Sequence, residues 1–413
     1  MTQLLSSILE IEGQKITSIT HDKNTQSIHV YCQRDKRFKI KPPHEGQSCT
    51  VNTYCTRTIR DLAISGQQCF IHIELAQVRT QDGKRSIEAS SFVKKGVRYS
   101  NRLCHQISGY CRHMSISAVA KHFNINWETV RDIDKYSLTH SLPALDPTTL
   151  TGLKHIGVDE VARAKGHDYM TVVYNMDNGQ LIWVEHGRTS KVLSTFLKQL
   201  PQTTALGIQA VAMDMGKAYQ HAVKSCLPNA DIVFDRFHVM KNFSKIIKRV
   251  RLSEFRKAGS HEEKGLIKGS LYLLLMNAKN LKGKQSIKLN DLLHANKKLC
   301  TLYMMKEQLQ ALWLATSVND MNEKLDAWCE LANSSGLFAL QDFAKSLREH
   351  RVGICNYAKY GLTSARIEAG NVSIGLIRRR ARGIRDTEYF KLKIRQISVK
   401  ETFSIIYPKI KLN

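Results

Sequence analysis

Proline is scarce in this chain of 413 residues. There are 7, and none lies between Pro228 and Pro408, so that long stretch contains no residue that would break a helix. Long apolar runs are also missing. The longest, such as Leu271 to Met276, fall far short of the roughly 18 residues a membrane-spanning helix needs. Acidic residues are few, 36 against 62 Lys plus Arg, which leaves a formal charge of +26. With no membrane partner expected, that excess of cations points to nucleic acid. Closely spaced cysteine pairs are absent. The ten cysteines are scattered and read as reduced core thiols, and Cys32, His44, Cys49 and Cys55 have gaps too irregular for a four-ligand zinc site. The opening MTQLLSSILEIEGQK lacks a basic leader and places Glu10 and Glu12 where an export signal would be apolar, so a cytoplasmic protein is expected. With 42% hydrophobic and 24% charged residues, the composition is that of a globular chain of two or three domains.

Residues 1–95 read as β-rich. Ile71, Ile73 and Leu75 alternate with His72 and Glu74, the period of a half-buried strand. Over residues 96–140 the period becomes helical, with Leu103, Ile107 and Cys111 on one face. Residues 141–152, SLPALDPTTLTG, form a linker. Beyond it the pattern is α/β. Short apolar runs at Ile156 to Asp159, Tyr169 to Tyr174 and Leu181 to Val184 surround the tight-turn signal Asp177-Asn178-Gly179. Helical spacing from Val192 to Leu200, a strand from Ile208 to Met213, a helix from Ala218 to Cys226, a strand from Ile232 to Phe234 and a long basic helix follow.

An antiparallel meander that feeds parallel strands is the order of the ribonuclease H-like fold. Three of these strands end in acids: Asp159, Asp214 and Asp235. Open α/β sheets place their sites at strand carboxyl ends. Phosphoryl transfer from DNA needs hard oxygen ligands that hold two Mg²⁺ (or Mn²⁺) ions about 3.5–4 Å apart. A third, longer carboxylate is best supplied by Glu368. Thr363 and Ser364 are good caps for its helix, Ile367, Ile374 and Ile377 give that helix an apolar side, and Asn371 shares the face of Glu368. Glu160, next to Asp159 in a strand, points the other way. One acid at a strand end is usually only a cap; the ordered set on a strongly basic chain is what points to chemistry. Asp235 and His238 are read as supporting, either as a secondary site element or as an N-cap with a histidine beside it.

The motifs IGVDE (156–160), KGHDYMTVVY (165–174), VAMDMGKAY (211–219), DRFHVMKN (235–242) and RIEAGNVSIGLIRRRARGIRD (366–386) resemble those of the bacterial insertion-sequence transposases called the ISL-three family. The resemblance spans roughly Leu153 to Gln396. It implies a DDE transposase whose catalytic and metal-binding residues are Asp159, Asp214 and Glu368. The fold class it implies is a multidomain α/β chain: a ribonuclease H-like core in two parts (153–250 and 351–400) around an all-α insertion (251–350), with a tail at 401–413. Related transposases often open with zinc pairs, and residues 1–95 would hold a degenerate version of that position.

Two elements are read as contacting DNA. In SISAVAKHFNINWETVRDI (115–133), Val119, Ala120 and Phe123 form a buried side, Asn124-Ile125-Asn126 a turn, and Val130 and Ile133 a second inward face. This is helix-turn-helix spacing, with Asn126, Trp127, Glu128 and Arg131 toward a groove; two packed helices without that role are the plain alternative. The run Arg378, Arg379, Arg380, Arg382 and Arg385 is the better candidate for phosphate contact. Lys241, Lys245, Lys248, Arg249 and Arg251 form a second basic run, although such runs are often only solvated faces. The expected partners are the element's terminal inverted repeats and target DNA, bound by a homodimer or larger assembly at the nucleoid. A nuclease that only hydrolyses and a non-catalytic DNA-binding regulator are the rival readings.

Overall fold

Alternation of apolar and polar side chains builds the first sheet. The computed structural model describes residues 8–9, 11–43, 48–81, 83–363, 365–381, 383–399 and 405. Its chain divides into two units, Met1–Leu142 with Val399–Asn413, and Pro143–Ser398. In the first unit, β1 (Gln14–Asp22), β2 (Ser27–Arg34), β3 (Cys49–Ile64), β4 (Gln67–Thr80) and β5 (Arg85–Ile87) form one sheet of order β1-β2-β4-β3, with β5 paired to β4. Ser65 and Gly66 turn β3 into β4, both at positive φ, as a tight primed hairpin requires. Cys69, Ile71, Ile73 and Leu75 of β4 are buried with Ile16, Val30 and Ile59, so the alternation read from sequence is the pleat of a real strand. The parallel contact between β2 and β4 has no local signature in the sequence.

Three helices follow in the same unit: α1 (Asn101–His113), α2 (Ile116–Phe123) and α3 (Trp127–Ser141). Ser100, Ser115 and Asn126 cap them through side-chain oxygens. Asn124 turns the chain between α2 and α3 in the left-handed region, φ 51°, which asparagine tolerates. Leu103, Ile107, Cys111, Val119, Ala120, Val130 and Ile133 form the small core that these helices share. The Arg60 guanidinium of β3 donates to the carbonyls of Phe123 and Asn124 and ties that turn to the sheet.

The second unit starts with the meander β6 (His155–Ala164), β7 (Asp168–Asn175) and β8 (Leu181–His186). Then come α4 (Ser190–Gln199), α5 (Gln202–Gly207), β9 (Ala210–Met213), α6 (Lys217–Cys226), β10 (Asp231–Phe234) and α7 (Arg236–Lys257). The sheet order is β10-β9-β6-β7-β8, parallel from β10 to β6 and antiparallel from β6 to β8. One sequence expectation needs correction: β6 does not stop at Asp159. Asp159 pairs with Val172 and Glu160 with Thr171, and the hairpin runs on to Ala164, because β7 offers a partner along that whole length.

Seven helices without proline come next: α8 (His261–Ile267), α9 (Leu271–Leu275), α10 (Lys284–Ala295), α11 (Lys297–Leu312), α12 (Val318–Ser334), α13 (Phe338–Glu349) and α14 (Arg351–Tyr360). Leu299, Leu302, Leu309, Leu325, Trp328, Leu340 and Leu347 give them an apolar interior continuous with one face of the sheet. α14 returns to β10 at Gly353, where a Cβ would stand 2.5 Å from the Phe234 ring. The last helices, α15 (Ala365–Ala381) and α16 (Thr387–Ser398), cover the other face through Ile367, Ile374, Phe390 and Ile394.

A candidate catalytic cavity at the strand ends

The sheet opens where its parallel pairing runs out. The last β6–β9 pair is Gly157 with Ala212, whereas β6 continues beside β7, so Asp159 projects past the end of β9. Asp214 follows β9 directly and accepts the N–H of Met215 at 2.6 Å. Asp235 follows β10 and caps α7, accepting the N–H of Phe237 at 3.0 Å. Glu368 lies in the first turn of α15, where the helix dipole favours an acid. All four carboxylates, with Glu160, His238, Lys241 and Asn371, line one cavity of about 380 Å³.

Two glycines seat α15 close enough for this. A Cβ at Gly157 of β6 would strike Met176 and Ile367, the latter at 2.5 Å, and a Cβ at Gly370 of α15 would strike the Tyr174 ring. The helix therefore lies against the strands, and the Asn371 side chain donates from Nδ2 to Asp159 Oδ2 at 2.6 Å. Arg378 donates to the Ala162 carbonyl at 2.7 Å and pins the far end of α15 to β6. Glu160 lies next to Asp159 on the strand but pairs with Arg188 at 3.6 Å.

The cavity disfavours the charge on Asp159. Burial pushes the Asp159 carboxyl above its usual range against the opposing pull of the Glu160 N–H, His238 and Asn371, and Asp214 adds to the rise. Burial works against a charge on His238, but neighbouring Asp235 and the carboxylates of Asp214 and Asp159 outweigh it and raise its pKa above the ordinary histidine value. His238 Nδ1 and Asp235 Oδ2 stand 3.1 Å apart, both buried and neither aligned in a hydrogen bond. Asn371 Oδ1 is likewise buried without a hydrogen-bond partner. No Lys or Arg forms an ion pair with Asp159 or Asp214 among the described residues.

These donors are of the right kind for a divalent ion. The set is oxygen-rich and anionic, as Mg²⁺ requires, and the unpartnered Asn371 oxygen sits within it. The acids remain spread around the wall; among the described residues no three His, Cys, Asp or Glu side chains are gathered as a finished ion-binding group.

The remaining sequence candidates fall in several environments. Arg379, Arg380 and Arg385 are exposed, and Arg382, Ser364 and His44 lie outside the described residues. In α7, Lys241, Lys245, Lys248 and Arg249 are exposed, and Arg251 donates to the Ile267 carbonyl. In the other unit Asn126 is occupied as a cap, Glu128 is exposed, and Trp127 is 51% exposed with the Arg131 guanidinium 5.5 Å from its ring. Arg131 also bonds Asp132. None of the ten cysteines forms a disulfide. A larger cavity, about 880 Å³, lies in the first unit among Leu9, Ile11, Phe38, Asp61, Phe92 and Arg102, and it includes none of the acids read from sequence as catalytic. Sequence reasoning missed Phe237 of the acid cavity. An aromatic two residues after Asp235, off the stripe of Val239, Phe243 and Ile246, was the available signal.

No helix among the described residues is long and apolar enough to cross a membrane. Residues 156–394 match a family described as transposase, and residues 88–137 match the helix-turn-helix domain of transposase family ISL3. The transposase for insertion sequence element IS1001 of Bordetella parapertussis is 33% identical, over 84% of this chain and 85% of that protein. The transposase for insertion sequence element IS1557 of Mycobacterium tuberculosis is 27% identical, over 66% of each. A solved structure, a simian T-cell lymphotropic virus intasome in complex with PP2A regulatory subunit B56 gamma, aligns at 15% identity and a TM-score of 0.17 over 44% of this chain and 70% of that one, which carries no argument about the fold. The family match over more than half the chain and the IS1001 relative agree with the α/β unit, its acid cavity and the helix-turn-helix: this chain belongs to the ISL3 family of insertion-sequence transposases.

Proposed function

We propose that the second unit is a ribonuclease H-like DDE core, residues 153–250 and 351–400 interrupted by a helical insertion at 251–350. It would cut DNA at the ends of its element and join the freed ends to target DNA. The observation that carries this reading is the convergence of Asp159, Asp214 and Glu368, from two strands and a helix far apart in sequence, on one cavity without a lysine or arginine paired to the two aspartates. These three side chains would hold two divalent cations, which when bound supply Lewis acidity and lower the pKa of an attacking water.

The chain's own residues do the rest by position. Asn371 fixes the rotamer of Asp159 by donating to one of its oxygens. Asp235 anchors the start of α7 and keeps His238 at the cavity wall. The scissile phosphate would lie across the acids, with its strand continuing toward the arginines that end α15, Arg378 to Arg380 and on to Arg385. The helix-turn-helix, with Trp127, Glu128 and Arg131 on its outer side, would read the terminal inverted repeats. Two repeats in inverted orientation suit a two-fold pair of subunits, so a homodimer or larger assembly on DNA is part of the proposal. The site of action would be chromosomal DNA in the cytoplasm.

Paired end duplexes incubated with plasmid target in Mg²⁺ or Mn²⁺ test this directly. Joined products support the transposition chemistry. Nicked ends that never join to target would make the protein a nuclease, and binding without cutting would make it a regulator.

A further inference from the structure

Phe237 is an odd neighbour for carboxylates. The inward face of α7 is set by Val239, Phe243, Ile246 and Ile247, all buried. Phe237 lies off that stripe and is 46% exposed, yet it lines the acid cavity together with Lys241, one helical turn further on. Its position is well fixed. Its N–H donates to the Asp235 carboxylate, and its ring stands edge-on to His238, with centroids 5.7 Å apart and planes at 74°. Lys241 Nζ is 5.7 Å from the ring centroid, and Lys241 has no ion pair among the described residues. Leu362 and Val372, the latter 59% exposed, line the same cavity and extend its apolar part.

Carboxylates suit cations, and an unpaired lysine suits a phosphate, but neither accounts for an open aromatic ring in a polar cavity. A flat ring held in a nucleic-acid site is a surface on which a base stacks, and such stacking tolerates any sequence because every base has a π-face. Bases in a duplex already stack on each other, so one can reach Phe237 face-on only by leaving the helix. We infer that Phe237, with Lys241 beside it, receives a base unstacked from the duplex next to the scissile phosphate. This rests on the cavity being the site of strand cleavage. Lys241 would hold the adjoining phosphate while the ring replaces the lost stacking partner.

The test uses the full chain and duplexes carrying the element's own terminal repeat, with 2-aminopurine placed in turn at each nucleotide flanking the cut. Ca²⁺ replaces Mg²⁺, so that binding is read without cutting. At one position the fluorescence should rise when wild-type protein or Phe237→Tyr binds. With Phe237→Ala most of that rise should be lost even when the duplex is saturated with protein. In Mg²⁺, Phe237→Ala should cut paired ends roughly ten- to hundredfold more slowly, the range expected for one base–aromatic stack. It should regain most of that rate on ends mismatched at the same position. Phe237→Leu keeps the apolar bulk without the flat face and should behave like Phe237→Ala, which separates stacking from loss of fold. An undiminished fluorescence rise in Phe237→Ala, or equal slowing on paired and mismatched ends, overturns the proposal. If wild-type protein binds ends and cuts nothing, the catalytic reading fails, and the fluorescence arm still decides for or against Phe237.

Discussion

Buried acids occur in both units, and their company differs. In the first unit Glu88 receives two hydrogen bonds from the Arg34 guanidinium, at 2.9 and 3.1 Å, and both side chains are almost fully buried. Asp61 there is gripped the same way by Arg102 and also accepts from the Ser100 hydroxyl. In the second unit Asp159 has a neutral amide, a backbone N–H, the His238 ring and another carboxylate nearby, and no arginine among the described residues grips it. A buried acid closed by a bidentate arginine is part of the scaffold, with its charge already spent on holding strands and helices in place. A half-buried acid that lacks such a partner leaves a demand for positive charge, and its surroundings show what could meet it.

The comparison is most sharply tested at the acids of the cavity. Asp159→Asn, Asp214→Asn and Glu368→Gln keep shape and remove charge. Each should lower end cleavage on the order of 10³-fold or more in Mg²⁺ while end binding persists, because metal-assisted charge stabilisation is worth several kcal/mol. Robust cleavage by any one of them would remove that residue from the set, and Glu160→Gln is the control that should stay active. Asp159→Asn also predicts a pH effect. The folded-state pKa of Asp159 is raised, so its charged form is disfavoured on folding. Its contribution to stability is therefore best at low pH and falls as pH rises from the unfolded value through the folded one. Urea melts should show the variant gaining on wild type across that interval and keeping its advantage above it.

Arginine-closed acids should respond in the opposite sense. Arg34→Ala strands Glu88 without its cation and should cost about 3–5 kcal/mol of unfolding free energy, the range for one half of a buried ion pair. A urea midpoint unchanged from wild type would show that Glu88 is as tolerant of isolation as Asp159, and the distinction would collapse.

Smaller effects are expected at the surfaces proposed to meet DNA. Trp127→Ala or Arg131→Ala should lower preference for element ends over random duplex by roughly tenfold, about one base contact, with a lesser change in random binding. Parallel losses on both duplexes would assign these residues to structure or to phosphate. Smallest is the double variant Arg379→Ala with Arg382→Ala. Its log–log plot of affinity against salt should be shallower by about one to two units on any duplex. An unchanged slope would leave those arginines as a solvated helix end. Arg378 is excluded from this test because it already holds the Ala162 carbonyl.

Much of the second unit was legible because its signals are local. Leu181 to Val184 and Ile232 to Phe234 are short apolar runs bounded by turns, and they became β8 and β10. Asp214 and Asp235 were placed correctly at strand ends for the same reason. The end of β6 was misread because Asp159 and Glu160 look like a terminus in isolation, whereas their pairing with Val172 and Thr171 is a property of β7. The helix-turn-helix was visible in its buried faces and its Asn124-Ile125-Asn126 turn, where Asn124 takes the left-handed conformation and Asn126 caps the second helix. Its link to the sheet through Arg60 joins residues some 60 positions apart and left no trace in the local pattern. Glu160 was assigned away from the acids by strand parity alone, and its pairing with Arg188 agrees, although it still borders the cavity. Phe237 left only a faint trace, an aromatic off the buried stripe of α7, and its place became plain with the cavity.

The two glycines under α15 have a wider effect than packing. Gly157 and Gly370 seat Glu368 by direct touch against the sheet, not through the chain that leads up to it. The seven intervening helices therefore need only leave near β10 and return to it, and their number, length and sequence are free to drift without changing the reach of the third acid. Such an architecture separates what must be inherited unchanged from what can be rewritten. A descendant could acquire a different insertion and still hold Glu368 in the same place. A single methyl group at position 370, wedged against the stiff buried ring of Tyr174, would disturb that geometry more than the loss of a whole exposed helical turn from the insertion.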